Sequence, residues 1–305
     1  MIFSVIIVSL NAGDKLKKTI ESALSQKGAD FEVVIKDGLS SDGSIDEIMS
    51  LYPDQSYREK SDPNTAELVK KTDNVSAAAE KPVIRIYEQP DTGIYDAMNQ
   101  AISHAEGDFY IFMNCGDYFY DDQVLARFKT AAYNTGFSDG ATNTANVDSS
   151  VKTPLILYGN KYSCLTGTVE RISPRITPLV LFRNIPCHQA ICYSKENFEK
   201  RLYKPEYKIR ADYEHFLWSV LKNKARTVYI DHPVCIYEGG GYSESAGNIR
   251  RSTAEHREIT RMYLTPWQLF YCNLYMIVTL RPLRKKLSSG KFSGIYNAVL
   301  KKIYD

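Results

Sequence analysis

The chain has 305 residues, of which 44% are hydrophobic and 24% charged, values that suit one large folded domain with appendages. The 38 Lys and Arg residues nearly balance 36 Asp and Glu residues, which argues against a nucleic-acid binder because such proteins carry a basic stripe. Six scattered cysteines without a C-x-x-C pattern, and an apolar start without the flanks of a signal peptide, predict a cytoplasmic protein with reduced thiols.

The first elements predict an α/β sheet. The apolar run Ser4–Ser9 is typical of a parallel strand covered on both faces, and Asp14–Gln26 has the spacing of an amphipathic helix. A second apolar run at Phe31–Ile35 completes a βαβ unit. Residues 52–81 are polar and lack a sustained period, so we expect an excursion there and not a core element.

The rest of the chain continues the alternation of strands and helices. The predicted elements are strands at Val83–Tyr87 and Phe109–Met113 around a helix at 94–105, a loop at Tyr133–Thr153, strands at Leu155–Tyr158 and Ala190–Tyr193, a helix at Asp212–Leu221, and a largely helical tail from Thr253.

Polar residues follow three of the predicted strands, at Ser9–Asn11, Asp37–Asp42 and Asn114–Asp117. Each cluster alone suits an ordinary turn, because Asp, Asn, Ser and Gly are common turn residues. In an open α/β sheet, however, ligands bind outside the carboxyl ends of the strands. The shared position of the three clusters therefore favours one binding site.

Four segments carry a resemblance to a known family: S-V-I-I-V-S-L-N, F-E-V-V-I-K-D-G-L-S-S-D-G-S, E-Q-P-D-T-G-I-Y-D-A-M-N-Q-A-I and G-D-F-Y-I-F-M-N-C-G-D. In this order they resemble family 2 glycosyltransferases, especially the capsule and exopolysaccharide branch. The resemblance spans residues 1–120 and, more loosely, 185–256. It implies an α/β protein of the GT-A fold, with a mostly parallel central sheet, flanking helices and a helical C-terminal tail.

The resemblance also implies an activity and a division of the chain. The activity is inverting transfer of a sugar from a nucleoside-diphosphate sugar to a glycan or lipid-linked acceptor in surface polysaccharide assembly. The division is a transferase domain at 1–250, with a nucleotide-sugar half at 1–118 and an acceptor half at 119–250, followed by a helical extension at 251–305.

Carried over by position, the donor-binding residues are Ser9, Asn11, Asp37, Asp91, Gly93, Asp96 and Asn99. A carboxylate such as Asp37 suits the imide N–H of uracil or the N1–H of guanine. Gly38 and Leu39 depart from the family pattern, which leaves the base open. For Asp91 the alternative is a helix N-cap with a turn. Asp96 and Asn99 lie off the apolar stripe of their helix and face either the site or water.

Asp117 matches the last acid of a D-x-D-like motif, which implies Mg²⁺ or Mn²⁺ bound between the carboxylate and the donor diphosphate. Asn114 stands at the first acid position, so we expect the protein to supply fewer charges than a full motif.

Asp212, in R-A-D-Y-E-H-F-L-W, matches the family's catalytic acid and would accept the proton of the acceptor hydroxyl. The alternative is that Asp212 only caps its helix, and Glu214 is then the substitute base. His188 lies in the family's acceptor-side segment. Arg250, with the glycine-rich 239–243, would form a lid over the diphosphate.

The tail leaves two structures open. Residues 262–280 carry no charge but include several polar residues, so they suit either a helix on the anionic inner face of the plasma membrane or a helical cap on the core.

Among other functions, a catalytically silent sugar-nucleotide-binding or scaffold protein stays open because of Asn114. A nucleotidyltransferase lacks its Gly-rich, arginine-bearing loop here, and neither G-x-G-x-x-G nor G-x-x-x-x-G-K is present.

Overall fold

A computed structural model describes residues 1–61, 83–137, 153–239 and 246–279. Its centre is a ten-stranded sheet, and the five strands nearest the N-terminus are parallel in the order β3-β4-β2-β1-β5. These strands are β1 (Ile2–Ser9), β2 (Asp30–Asp37), β3 (Ser56–Lys60), β4 (Ile84–Glu88) and β5 (Phe109–Asn114).

The remaining strands form a mixed half of the sheet. They are β6 (Tyr118–Phe119), β7 (Leu155–Ser163), β8 (Thr168–Glu170), β9 (Ile191–Ser194) and β10 (Arg226–Tyr237). Strand β9 joins the two halves, because it pairs antiparallel with both β5 and β7. Strand β10 runs parallel to β7, with register shifts between Ile230 and Cys235, and antiparallel to β6.

Eight helices are described: α1 (Asp14–Leu24), α2 (Ser44–Leu51), α3 (Ile94–His104), α4 (Val124–Asn134), α5 (Pro178–Arg183), α6 (Ala211–Leu221), α7 (Ala246–Tyr263) and α8 (Pro266–Val278). Short 3₁₀ turns occupy His188–Ala190 and Lys195–Asn197. Among the described residues, no helix combines the length and apolar character needed to cross a bilayer.

The apolar run of β1 is continuous because both faces of the sheet are covered. Val5 and Ile7 point to a core that includes residues of α1 and α4, whereas Ile6 between them points to a second core with residues of α3 and α6. Successive strand residues point to opposite faces, so a strand between two helical layers needs apolar residues at every position.

The predicted strands and helices are confirmed, most of them within a few residues of their expected bounds, but the structure also contains elements that were not predicted. The expectation of no core element at 52–81 is wrong for Ser56–Lys60, which forms the edge strand β3; residues 62–82 lie outside the described part. Strands β6, β8 and β10 and helices α2, α4 and α5 were not predicted either. Most of the predicted loop, at 138–152, and most of the predicted lid, at 240–245, also lie outside the described residues.

The predicted boundary at residue 250 falls inside α7. The division of the chain at 118 and 250 stays a prediction.

Candidate functional site

The carboxyl ends of the parallel strands lie level at one edge of the sheet. In the register of the strands, Ser9 of β1 is opposite Asp37 of β2, and Val8 is opposite Asn114 of β5. Asp37 is in turn opposite Glu88 at the end of β4. The predicted polar clusters therefore meet at the edge where ligands bind in open α/β sheets.

The loops after β1 and β2 are fastened together by hydrogen bonds. The Asp37 carboxylate accepts from the Ser40 N–H and the Ser40 hydroxyl, both at 2.6 Å. The Ser40 Oγ accepts from the Asn11 N–H at 2.7 Å, and the Asn11 Oδ1 accepts from the Ser41 N–H at 2.9 Å. Asp37 is 0% exposed, and its described side-chain contacts are with this loop; its contact with a base stays a prediction. Asn11 is exposed on the rim.

A buried ion pair explains the unusual Gly38. The Lys36 side chain is 0% exposed, and its Nζ donates to Asp91 Oδ2 at 2.8 Å and to the Asp37 carbonyl at 3.0 Å. A Cβ at position 38 would lie 3.0 Å from Asp91 Oδ2 and 3.2 Å from Leu10 Cδ1. Asp91 thus occupies the space that a larger residue at position 38 would need.

The start of α3 places the other predicted donor residues. Gly93, with φ of 136°, is the N-cap, and Asp91 Oδ1 accepts from its N–H at 3.1 Å, so the predicted cap at Asp91 is wrong. Asp96 accepts from the Thr92 N–H and hydroxyl. The Asn99 amide donates to the carbonyl of Tyr203 and accepts from its N–H, both at 2.9 Å. In this structure Asp96 and Asn99 hold the protein's own backbone.

Asp117 is held in a fixed direction at the end of β5. Its Oδ2 accepts from the Gln189 amide at 2.6 Å, and its Oδ1 accepts from the Glu238 N–H at 3.2 Å. The Thr19 hydroxyl donates to the Asp117 carbonyl at 3.0 Å. Burial raises the pKa of the Asp117 carboxyl to about 6.

The surroundings of Asp117 fit a hard cation that takes few protein ligands. The Asn114 Oδ1 is buried and accepts no hydrogen bond within the described chain. The Glu238 carboxylate is nearby, because its Oε2 lies 3.4 Å from the Cβ position of Gly116. The described residues hold no group of three or more His, Cys, Asp or Glu that could bind a metal. Mg²⁺ is often held by one or two carboxylates plus phosphates and water, and this oxygen set suits that pattern.

The turn at His188–Ala190 links Asp117 to Asp212. Gln189 donates to Asp117, whereas the His188 Nδ1 lies 4.0 Å from Asp212 Oδ2. Burial lowers the pKa of His188, with Asp212 opposing the shift. The sequence assigned no role to Gln189, and the structure makes it the contact to the candidate metal ligand. Two carboxylates that are distant in sequence thus flank one short turn.

One oxygen of Asp212 accepts a hydrogen bond, and the other accepts none from the described residues. Its Oδ1 lies 2.8 Å from the Tyr95 hydroxyl, which is also 2.8 Å from the Ile209 carbonyl. Burial raises the pKa of Tyr95, so the phenol stays a donor. The distance of 4.0 Å from Oδ2 to His188 exceeds a hydrogen bond. The N-cap of α6 is Arg210, so the alternative of Asp212 as the cap is wrong.

The segment before Asp212 is anchored by a buried carboxylate. Glu255 of α7 is 7% exposed and accepts from the N–H groups of Lys208, Ile209 and Arg210 at 2.9–3.0 Å. Arg251 donates to the same carboxylate at 2.9 Å. This arrangement fixes the start of α6 and therefore the position of Asp212.

Glu214 is not available as a substitute base. It is 0% exposed and binds Arg201, Lys204 and the Tyr263 hydroxyl. Residues two apart on a helix point roughly 200° apart, so Glu214 faces away from Asp212. The expectation of Glu214 as the substitute base is therefore wrong. Arg250 lies exposed on α7.

Comparisons with known proteins identify relatives of the chain. Residues 4–192, more than half of the chain, match the family model described as Glycosyl transferase family 2. A curated relative is the PGL/p-HBAD biosynthesis glycosyltransferase of Mycobacterium bovis (strain BCG / Pasteur 1173P2). It is 27% identical over 245 residues, which cover 80% of this chain and 79% of the relative.

Two solved structures have a fold similar to that of this chain. The mannosyltransferase PcManGT from Pyrobaculum calidifontis, in complex with GDP-Man and Mn²⁺, aligns with a TM-score of 0.57 and 14% identity over 98% of this chain and 78% of its own. S. aureus TarS 1–349 in complex with UDP aligns with a TM-score of 0.55 and 16% identity over 85% of this chain, and this chain spans 64% of that one. At such identities the likeness shows the fold alone.

Proposed function

The chain belongs to glycosyltransferase family 2 and has the GT-A fold, and from this premise we propose that it transfers a sugar from a nucleoside-diphosphate sugar to a glycan or lipid-linked acceptor. The observation that carries the proposal is the turn at His188–Ala190, which contacts Asp117 on one side and approaches Asp212 on the other. Donor diphosphate and acceptor hydroxyl would meet across this turn.

The donor would bind at the edge formed by the ends of β1, β2 and β5. Asn11 and Leu10 are exposed there, Leu10 at 60%, so the rim offers both an amide and an apolar surface to a nucleoside. Asp37 supports this rim through Ser40 and does not itself face outward. Uracil and guanine both suit such a site, and the two solved neighbours are complexes with UDP and with GDP-Man.

Asp117 and the buried Asn114 Oδ1 would hold Mg²⁺ or Mn²⁺ against the donor diphosphate. Such an ion, when bound, neutralises charge on the departing nucleoside diphosphate. The Gln189 amide and the Glu238 N–H keep the Asp117 oxygens aimed in one direction, as outer partners of metal ligands do.

Asp212 would act as the base through its open Oδ2. As the acceptor oxygen bonds to the anomeric carbon, its proton passes to Oδ2, the bond from that carbon to the diphosphate breaks, and the nucleoside diphosphate leaves. Tyr95 fixes Oδ1, and Glu255 fixes the backbone before Asp212, so the carboxylate is oriented before the acceptor binds. A single displacement of this kind inverts the anomeric centre. Surface polysaccharide assembly on the cytoplasmic side of the membrane is the process we propose for it.

A thermal-shift panel of UDP, GDP and dTDP sugars, with and without Mn²⁺, tests donor binding. At a concentration 100 times Kd, a ligand of the folded state adds about 2.7 kcal/mol, or on the order of 5 °C for a chain of this size. We expect one class of donor to stabilise the chain, and more strongly with Mn²⁺. In Asp117→Asn the extra effect of Mn²⁺ should be lost. No shift with any donor would refute the proposed site.

A further inference from the structure

Helix α8 exposes an apolar face that the described part of the chain leaves uncovered. Its sequence, P-W-Q-L-F-Y-C-N-L-Y-M-I-V, contains no charged residue. The most exposed side chains are Trp267 (80%), Phe270 (61%), Tyr271 (62%), Ile277 (67%) and Val278 (70%). A helix that only capped the core would bury these residues. The helical cap on the core that the sequence allows therefore explains the packing of only a minor part of α8.

The exposed residues form one continuous stripe. At about 100° per residue, the positions of Trp267, Tyr271, Leu274 and Val278 fall within about 60° of each other, and Phe270 and Ile277 flank them on one side. The opposite side packs on the protein, where Cys272 is fully buried and α8 adjoins α5 and α7. A capping box of Thr265 and Gln268 fixes the first turn, so the stripe has a defined direction.

The stripe is large for a protein surface. A large aromatic side chain covers about 150–250 Å², so the exposed parts of Trp267, Phe270 and Tyr271 alone present about 300–500 Å². The largest apolar patch on a monomeric protein is about 300–600 Å² in total. Four further exposed apolar residues extend the stripe beyond that range: Leu274, Tyr275, Ile277 and Val278.

The sequence after α8 is strongly cationic. Residues 280–305 include one acid, Asp305, and the following cations: Arg281, Arg284, Lys285, Lys286, Lys291, Lys301 and Lys302. An apolar helix followed directly by a cluster of four to eight cations is the pattern that binds anionic lipid headgroups. Trp and Tyr are also the residues enriched at the boundary between lipid and water.

We propose that α8 lies in the interface of an anionic lipid bilayer, with its apolar stripe among the acyl chains and the following cations against the headgroups. The helix has 13 residues, too few to cross the roughly 30 Å hydrocarbon core, so the contact is peripheral. Residues 280–305 of the chain itself fit the apolar stripe less well than an anionic bilayer does, because α8 offers no acid to pair with their cations. A second copy of α8 likewise offers no acid to pair with these cations. This inference does not depend on the proposed transfer.

Trp267 provides a direct probe of the contact. The chain has two tryptophans, and Trp218→Phe leaves Trp267 as the fluorophore. We expect its emission to shift to shorter wavelength with vesicles of phosphatidylcholine and phosphatidylserine, and much less with phosphatidylcholine alone. Raising the salt concentration should weaken binding, because screening shortens the reach of the cations. Binding to neither vesicle, or equal binding to both, would overturn the proposal.

Two variants separate the apolar and the cationic contributions. Phe270→Glu with Ile277→Glu should lower vesicle binding at least tenfold, whereas Leu51→Glu, a 46% exposed residue on α2, should leave it unchanged. Replacing Arg281, Arg284, Lys285 and Lys286 by Gln should lower binding to anionic vesicles about 10²–10³-fold, because each cation contributes about fivefold. If sedimentation without vesicles instead shows a dimer that the Glu variants dissociate, a second copy covers α8 and the proposal fails.

Discussion

Replacing Glu255 by Gln tests whether α7 positions the proposed base. Each oxygen of the carboxylate accepts two hydrogen bonds: Oε1 from Lys208 N and Arg251 Nε, and Oε2 from Ile209 N and Arg210 N. A Gln keeps one acceptor oxygen and points its own N–H₂ at two donors. Bonds to a charged group contribute about 1.5–3 kcal/mol each, and Glu255 is buried, so we expect a loss of about 3–5 kcal/mol.

The same change should slow transfer. A displacement of about 1 Å at a catalytic group can lower the rate about 10²-fold, so we expect kcat to fall while donor affinity is kept. Chemical denaturation and release of nucleoside diphosphate measure the two effects. The matched control is Glu258→Gln on the same helix, which affects a single bond from the Tyr207 hydroxyl. If the two variants have the same stability and the same kcat, Glu255 does not position Asp212.

Three further changes have defined outcomes. Tyr95→Phe removes the donor to Asp212, so kcat should fall about 10–100-fold with donor affinity unchanged, as steady-state kinetics would show. His215 is fully buried, which lowers its pKa, so the unfolded chain takes up a proton there below about pH 6.5 while the folded chain does not. The stability lost between pH 6.5 and 5 should therefore be smaller in His215→Phe, by at most about 1.4 kcal/mol per pH unit, measured by denaturation. Lys36→Met leaves Asp91 without its cation and should lower the free energy of unfolding by about 3–5 kcal/mol.

Each of these changes has its own check. The pH comparison uses the difference between wild type and variant, because Asp117, whose pKa is raised to about 6, has the opposite effect: the folded chain takes up its proton first. An identical pH dependence in both proteins would contradict the neutral His215. Lys17→Met breaks a more exposed ion pair and should change stability much less than Lys36→Met does. Equal effects of the two Lys variants, or an unchanged kcat in Tyr95→Phe, would contradict the corresponding assignments.

The parallel half of the sheet could be predicted because strands buried on both faces have an unmistakable apolar run, as in β1. Strand β3 was not recognised, since its sequence S-Y-R-E-K lies at the edge of the sheet and needs few apolar residues. Strand β10 was missed because Asp231, His232 and Pro233 interrupt its pattern where the register shifts.

The site could be predicted in part. The positions of Asp117 and Asp212 followed from the family resemblance, but their link through Gln189 and His188 depends on tertiary packing that no local pattern encodes. The buried ion pair of Lys36 could have been predicted from the sequence. Its lysine ends the apolar run V-V-I-K, and a buried lysine needs a partner of opposite charge. Glu214 could also have been excluded as a base from the sequence. It lies two residues after Asp212 on a predicted helix, so the two side chains point to opposite sides of that helix.

The proposed transfer by Asp212 can be measured as release of nucleoside diphosphate, in the presence of acceptor, from the donor that the thermal-shift panel identifies. We expect wild type to turn over, and Asp212→Asn to bind the donor with similar affinity but to turn over about 10²–10⁴ times more slowly. Equal turnover in the two proteins would contradict the assignment of Asp212 as the base. Donor binding by wild type without any release, across glycan and lipid-linked acceptors, would contradict the transferase itself.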